Sequence, residues 1–292
     1  MTGVDVLSQF MSGLTTAMIY FLIAAGLTLI LGVLKIMNFA QGEFLMIGAM
    51  MHYTGTVVLK LPFGVSLLLS RGTISLVAIL IESVAINPLR KKGASLVMMV
   101  CSFIAFSVIF KSLAEILWGK YPLVIEGFFS KEIFTMGGIN IQSQSVAVMA
   151  AAGLSMLLLW YFFSRTLYGM ALVASAFNPK MAYLCGVNVR KMIITSFILS
   201  GASSALAGVV VGPISFVAPF IGFDLGVKGF CAAVIGGMGS PVGAILGGLL
   251  LGVLESLLGV YISTAYSTIM AFIVLLIVLY VRPQGILGIA SR

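Results

Sequence analysis

Eight acidic side chains and one histidine, His52, are all the carboxylate and imidazole available in 292 residues, so the chemistry open to this chain is narrow. A lone histidine completes neither a His-Asp-Ser relay nor a His-based metal site. Placed in an apolar run or near its outer end, His52 reads as a satisfied interfacial side chain. No G-x-x-x-x-G-K-[ST] loop is present to cradle nucleotide phosphates, and Gly119-Lys120 is followed by Tyr121. The polar residues gather elsewhere, in NFAQGEF, where Asn38, Gln41, Gly42 and Glu43 separate two apolar runs. Two readings stand: a helix start capped by Asn38 with Glu43 near its positive end, or a polar kink that lines or hinges a path through a membrane.

The other carboxylates divide by context. An ionised group at the bilayer centre costs about 2.5 to 3.5 kcal/mol on insertion scales and therefore faces a bundle interior, a cavity or a partner. Glu43, Glu82 and Glu255 lie in or near the ends of apolar segments. Lys111 with Glu115, and Asp224 with Lys228, are four residues apart and read as structural pairs on one helix face. Glu82, eight residues before Arg90, reads as a snorkelling or helix-pairing carboxylate. Cys101, Cys185 and Cys231 have no metal or disulfide spacing and read as small apolar residues.

Glycine supplies the second signal. GGMGSPVG, Gly236 to Gly243, interrupts an apolar stretch with residues that permit positive φ and a proline that lacks an amide proton, so Gly236, Gly237 and Gly239 mark a deliberate helix break. The following Gly243, Gly247, Gly248 and Gly252 fit close helix packing. A third feature is the connection Ser164 to Met192. Its basic entry leads to a helix through Ala171, Ala174 and Ala176, then a break at Asn178-Pro179 and a short helix ended by Gly186. That short helix is either a cap on the bundle or a handle for a soluble partner.

The elements that hold these residues follow from composition. With 61% hydrophobic and 8% charged residues, against about 25% charged in soluble domains, the chain needs the bilayer as its solvent. The expected fold is all-α, a polytopic transmembrane bundle of about eight spans. Its apolar segments fall at 12 to 34, 43 to 61, 66 to 87, 95 to 118, 145 to 163, 192 to 212, 226 to 258 and 266 to 281. The seventh is broken into two half-helices. Irregular backbone at membrane depth is tolerated only inside protein or against a water-filled cavity. The paired breaks around NFAQGE and GGMGSPVG point to a site between two structural repeats, although no residue-by-residue repeat is visible.

The net charge of +8 is scattered between spans, which fits orientation signals and not nucleic acid. Arg90, Lys91 and Lys92, and Arg165, Lys180, Arg190 and Lys191, mark cytoplasmic loops. Counting from them places the N-terminus outside, and Lys35, Arg282 and Arg292 inside. Gly119 to Gln144, with Glu126, Lys131, Glu132, Gly137 and Gly138, is then the main external loop. The first residues lack the basic region and cleavage site of a secretory signal.

Taken together, GLTLILGVLKIMNFAQGEFLMIGA (26 to 49), NPLRKKG (87 to 93), NPKMAYLCGVNV (178 to 189), GGMGSPVGAILGGLLLGVLES (236 to 256) and YVRPQGILG (280 to 288) resemble the permease subunits of bacterial ABC importers for branched-chain amino acids. That group also includes permeases for urea, short amides and aromatic acids. The resemblance covers essentially the full length and implies a single transmembrane permease domain, 1–292, in the bacterial cytoplasmic (inner) membrane. It implies that ATP and Mg are bound by separate cytoplasmic ABC ATPase subunits, with no cofactor in this chain. It further implies a second related permease or a second copy of the same chain, an external solute-binding protein, a small solute, and surrounding membrane lipid. Asn178, Lys180, Met181, Ala182, Gly186 and Val187 match the coupling loop that meets the ATPase. Family members often carry His where this chain has Gln41, and Arg where it has Asn87. A passive channel and a coupled secondary transporter are the readings from other classes.

Overall fold

A computed structural model describes residues 3–125, 133–136, 139–261 and 266–287. Each expected apolar segment is helical over most of its length, residues 59 to 61 and the break after Gly236 excepted. Helix α1 covers Gly3–Leu34, and α2, Gln41–Tyr53, continues into a π-helical turn, Thr54–Val58. Helix α3, Phe63–Ile81, passes through a second π-helical turn, Glu82–Ile86, into α4, Asn87–Lys91. Then come α5, Leu96–Trp118, and a small antiparallel hairpin of β1, Ile133–Met136, and β2, Ile139–Gln142. Glu126, Lys131, Glu132, Gly137 and Gly138 of the expected external loop lie outside the described residues, as do Gly288 and Arg292. The second half holds α6, Ser143–Arg165, α7, Leu167–Phe177, α8, Pro179–Leu184, and α9, Val189–Val211. It ends with α10, Ile221–Gly236, α11, Pro241–Tyr261, and α12, Ser267–Val281.

Among the described residues, six segments are long and apolar enough to cross a membrane: Gln9–Leu34, Phe63–Lys91, Leu96–Trp118, Ser143–Arg165, Val189–Val211 and Val242–Gly259. The expected break in the seventh apolar segment is present. It leaves α10 with 16 residues and α11 with 21, so the second piece reaches spanning length by itself.

Helix ends follow local chemistry. Ser95, Thr166 and Asn188 accept backbone amides at the starts of α5, α7 and α9, supplying partners for donors that a helix cannot satisfy internally. Gly119, at φ 85°, ends α5.

Burial sorts the spans into an inner and an outer set. In α1 and α9, 78% and 72% of the spanning window is buried; in α5 and α6 the figures are 11% and 17%. The core runs along α1, where Leu22, Ile23 and Ala24 are fully enclosed by residues of α9, α10 and α11. Such a helix is apolar on all sides because no side meets water. Gly252 of α11 is pressed so closely on the Ala17 backbone of α1 that a side chain there would overlap it, the close approach that small residues permit between membrane helices.

Candidate functional site

The NFAQGEF segment turns back into the membrane. After α1 ends at Leu34, Lys35 adopts φ 58°, a left-handed conformation that is uncommon outside glycine, and the chain reverses. Gln41 then lies against Gly26 of α1 and Ser200 of α9. Gly26 precedes the end of α1 by eight residues, so Gln41 is about 12 Å inside the helix end at 1.5 Å per residue. Asn38, Gln41 and Glu43 are each no more than 2% exposed. Polar groups at such depth need partners.

Most have them. Asn38 Oδ1 accepts from Ala40 N at 3.0 Å, and its Nδ2 donates to Gln41 Oε1 at 3.0 Å. Ser200 Oγ donates to the same Oε1 at 2.9 Å, while Gln41 Nε2 donates to Ser204 Oγ. The Asn38 side chain therefore stabilises the turn before α2, although Ala40 occupies the cap position itself. Glu43 is half-satisfied. Ser107 of α5 donates to Oε1 at 3.0 Å, and Oε2 is buried without a hydrogen-bond partner. Lys111, one turn further along α5, is exposed.

Gly42 holds α2 against α10. A Cβ at Gly42 would overlap the Gly222 carbonyl and lie 3.0 Å from Gly226 Cα, and one at Gly222 would lie 2.9 Å from Glu43 Oε2. Beside this contact is a cleft of about 60 Å³, whose walls include Asn38, Gln41, Glu43 and three phenylalanines, Phe39, Phe223 and Phe230. Its lining mixes these polar side chains with the aromatic ones.

The glycine break is elsewhere. Gly236, Gly237 and Gly239 lie at the far end of α10, about 24 Å along a 16-residue helix from its start beside Glu43. Gly237 at φ 107° and Gly239 at φ 88° form the turn, and Gly236 and Gly243 touch across it. The chain's final described stretch closes the turn, because Ile286 N and Leu287 N donate to Ile235 O and Gly236 O at 2.9 and 3.0 Å. Met238, Gly239 and Ser240 face Lys35 and α7 across a groove. The structure thus brings Asn38, Gln41, Gly42 and Glu43 together and places the three glycines at the bundle end that carries α7 and α8.

At that end Asn178 caps α8, with Oδ1 accepting from Lys180 N and Met181 N, both at 3.1 Å. Gly186 at φ 83° ends it, and Val187 N donates to Ala182 O at 3.0 Å. Lys180, Met181, Tyr183 and Leu184 face outward, whereas Ala182 is buried against the bundle. A partner approaching α8 would meet its neighbours before Ala182.

His52 is satisfied as expected, buried with Nδ1 2.8 Å from Ser66 Oγ. The two expected charge pairs fare differently. Asp224 and Lys228 approach to 3.8 Å, but Glu115 pairs with Lys120 at 3.9 Å and not with Lys111. The sequence order explains the difference, since an acid preceding a base by one turn is favoured over the reverse. A buried network escaped sequence reasoning altogether: Lys228 Nζ donates to Glu255 Oε1 at 2.8 Å and Ser267 Oγ at 2.9 Å, and Tyr20 OH donates to Glu255 Oε2 at 2.6 Å. The isolated apolar-segment Glu255 was the only signal for it.

The family described as "Branched-chain amino acid transport system / permease component" matches residues 9–279. The chain is 35% identical over 254 residues to the high-affinity branched-chain amino acid transport system permease protein LivH of Salmonella typhimurium, covering 82% of this chain and 81% of that protein. It is 33% identical over 256 residues to BraD of Pseudomonas aeruginosa, a high-affinity branched-chain amino acid transport system permease protein, with the same coverage. A shorter stretch of 82 residues, 28% of this chain and 23% of the relative, is 42% identical to the fructose import permease protein FrcC of Rhizobium meliloti. No solved structure matches.

Proposed function

The chain belongs to the family of branched-chain amino acid transport permeases, membrane subunits of ABC importers, and on that premise we propose that it moves branched-chain or other hydrophobic amino acids inward by alternating access. As a single transmembrane permease domain, 1–292, it leaves ATP and Mg to separate cytoplasmic ATPase subunits. It pairs with a related permease or with a second copy of itself, and receives solute from an external binding protein. In this reading it lies in the bacterial inner membrane with its N-terminus outside and its C-terminus cytoplasmic.

The re-entrant Asn38 to Glu43 segment carries the proposal. Its cleft offers a carboxylate oxygen with no other partner beside three phenylalanine rings, a pairing that suits a molecule with an ammonium group and an apolar side chain. At about 60 Å³ the cleft holds little more than water. Passage therefore requires α2 and α10 to separate at the Gly42, Gly222 and Gly226 contact. Movement of α8, driven by the ATPases through Asn178, Lys180, Met181, Gly186 and Val187, would be transmitted through α9, which carries the Ser200 and Ser204 partners of Gln41. Gly236, Gly237 and Gly239 act as the hinge at the ATPase end of α10.

The test is uptake into vesicles containing the whole assembly, with ATP supplied to the ATPase side. Leucine, a neutral aromatic amino acid, urea and an aromatic acid are compared. ATP-dependent uptake of leucine supports the reading; ATP-independent flux overturns it. A second reading keeps the machine and changes the cargo. It is favoured by Gln41, fixed by two serines where family members often carry a titratable histidine, and by the local likeness to a fructose import permease.

Two variants check the assignments. Glu43→Gln keeps the Ser107 hydrogen bond but removes the charge, and is expected to raise the KM for amino-acid uptake with little change in expression. Unchanged kinetics would leave Glu43 a structural role only. Asn178→Ala with Gly186→Ala loosens both ends of α8, and ATP hydrolysis should continue while uptake falls. Full ATP-dependent uptake by this variant would remove the coupling role.

A further inference from the structure

Three basic residues from separate parts of the chain converge at the bundle end that carries α8. Lys35 follows α1, Arg90 is in α4 and Lys180 is in α8, and all three line one groove of about 650 Å³. None of them has a carboxylate within ion-pair distance among the described residues, where the ion pairs involve only Lys120 and Lys228 as cations. The rest of the groove is apolar. Val33 and Leu34 come from the last turn of α1, and Val189 and Ile193 from the first turns of α9, both membrane-spanning helices. Tyr183 lies at the edge and is 71% exposed.

We propose that this groove binds an anionic phospholipid, with the phosphate held by Lys35 and Arg90 in the added field of Lys180, whose side chain also meets the ATPase in the proposed assembly, and the upper acyl chain lying on Val33, Leu34, Val189 and Ile193. The two-part lining selects this occupant. An acidic protein segment arriving from water would find partners for its carboxylates but would have to cover an apolar floor that continues down two spans. A phospholipid of the surrounding bilayer would lay its acyl chain along the same two spans and bring its phosphate to the three cations. Basic pockets between membrane helices bind anionic head groups in this way, each Lys or Arg near the surface strengthening the attraction. The guanidinium of Arg90 can form two parallel hydrogen bonds to a phosphate, and a tyrosine at the rim suits the head-group layer. Lys35 is well placed to organise the site, because its left-handed backbone fixes the corner where α1 ends and the chain turns back.

The binding requires only that the chain spans a membrane. One consequence rests on the importer reading: a lipid bridging α8 to α1 and α4 would hold the coupling helix in register, so that ATP-driven uptake depends on anionic lipid.

The experiment is native mass spectrometry of the purified whole assembly, released from nanodiscs of phosphatidylglycerol or of phosphatidylcholine with the same acyl chains. We expect phosphatidylglycerol to be retained and phosphatidylcholine lost. Retention should fall at least about tenfold in Lys35→Gln/Arg90→Gln, as expected for two cations removed from a charged surface, and persist in the charge-preserving Lys35→Arg/Arg90→Lys. Equal retention of both lipids overturns the proposal without any variant, as does retention unaffected by the glutamine changes. Complete displacement by millimolar inorganic phosphate would make this a free-anion site and also overturn it. Loss of the ATPase subunits from the glutamine variant, with lipid retained, would assign the groove to protein docking instead. Failure of ATP-driven uptake in every lipid would count against the importer reading and leave the retention result standing.

Discussion

Glu255→Ala is expected to be the most damaging single substitution for stability. It leaves the Lys228 ammonium, whose side chain is 7% exposed, without its 2.8 Å carboxylate and Tyr20 OH without its acceptor. Breaking a buried pair from one side costs about 3 to 5 kcal/mol, because an uncompensated charge stays behind. Ser267 and the more distant Asp224 remain near Lys228 and offset part of this, so the lower end of that range is expected. The measurement is thermal unfolding of the detergent-solubilised assembly, followed by loss of the monodisperse peak in size-exclusion chromatography. Lys228→Met with Glu255→Met removes both charges and should recover most of the loss. A double variant as unstable as Glu255→Ala would show that the network contributes through its hydrogen bonds to Tyr20 and Ser267 and not through its charges.

The second large effect is on transport. Gly42→Val places a branched side chain where even one carbon overlaps the Gly222 carbonyl. Overpacking of this kind costs about 1 to 3 kcal/mol and forces the backbones apart. Because α2 and α10 must meet and part at this point in the proposed cycle, ATP-dependent uptake should fall at least about tenfold, the equivalent of about 1.4 kcal/mol in a rate-limiting step. The protein should still reach the membrane, since the core around α1, α9 and α11 is untouched. Unaltered uptake by a well-expressed Gly42→Val protein would show that the α2 and α10 contact does not control passage. Val at Gly153, where an added carbon meets nothing within 4 Å, is the matched control.

Much of the framework was legible because hydropathy is a local property. The expected segment 95 to 118 is α5, Leu96–Trp118, and the segment 145 to 163 lies within α6, Ser143–Arg165. The breaks were legible for the same reason: Asn178-Pro179 and Gly186 bound α8, and two glycines with positive φ make the turn after α10. Hidden from the sequence was whatever depends on residues far apart. Gln41 finds its partners 159 and 163 residues later, in two serines that look like ordinary small residues of a span. Lys228 showed a local acid one turn before it, and this concealed the closer Glu255, 27 residues on. Nor did the pattern of NFAQGEF show how deep it lies. The same residues suit a surface helix start and a re-entrant turn, and only the contact of Gln41 with Gly26 distinguishes them.

The core pairings also order events during synthesis. Tyr20 has no phenol partner until Glu255 has been made, 235 residues later, and Gln9 donates to Ser256 across 247. The carbonyls of Ile235 and Gly236 wait in turn for the amides of Ile286 and Leu287. A ribosome making about 5 to 20 residues per second therefore releases α1 into the bilayer roughly ten seconds or more before α11 arrives to cover it. During that interval the most central helix of the finished bundle is a lipid-facing one, with a polar hydroxyl and a row of small residues exposed to any neighbouring span. A chaperone or insertase that shelters α1 would act on this stretch, and a chain cut short of residue 286 would leave the assembly unfinished at its final step.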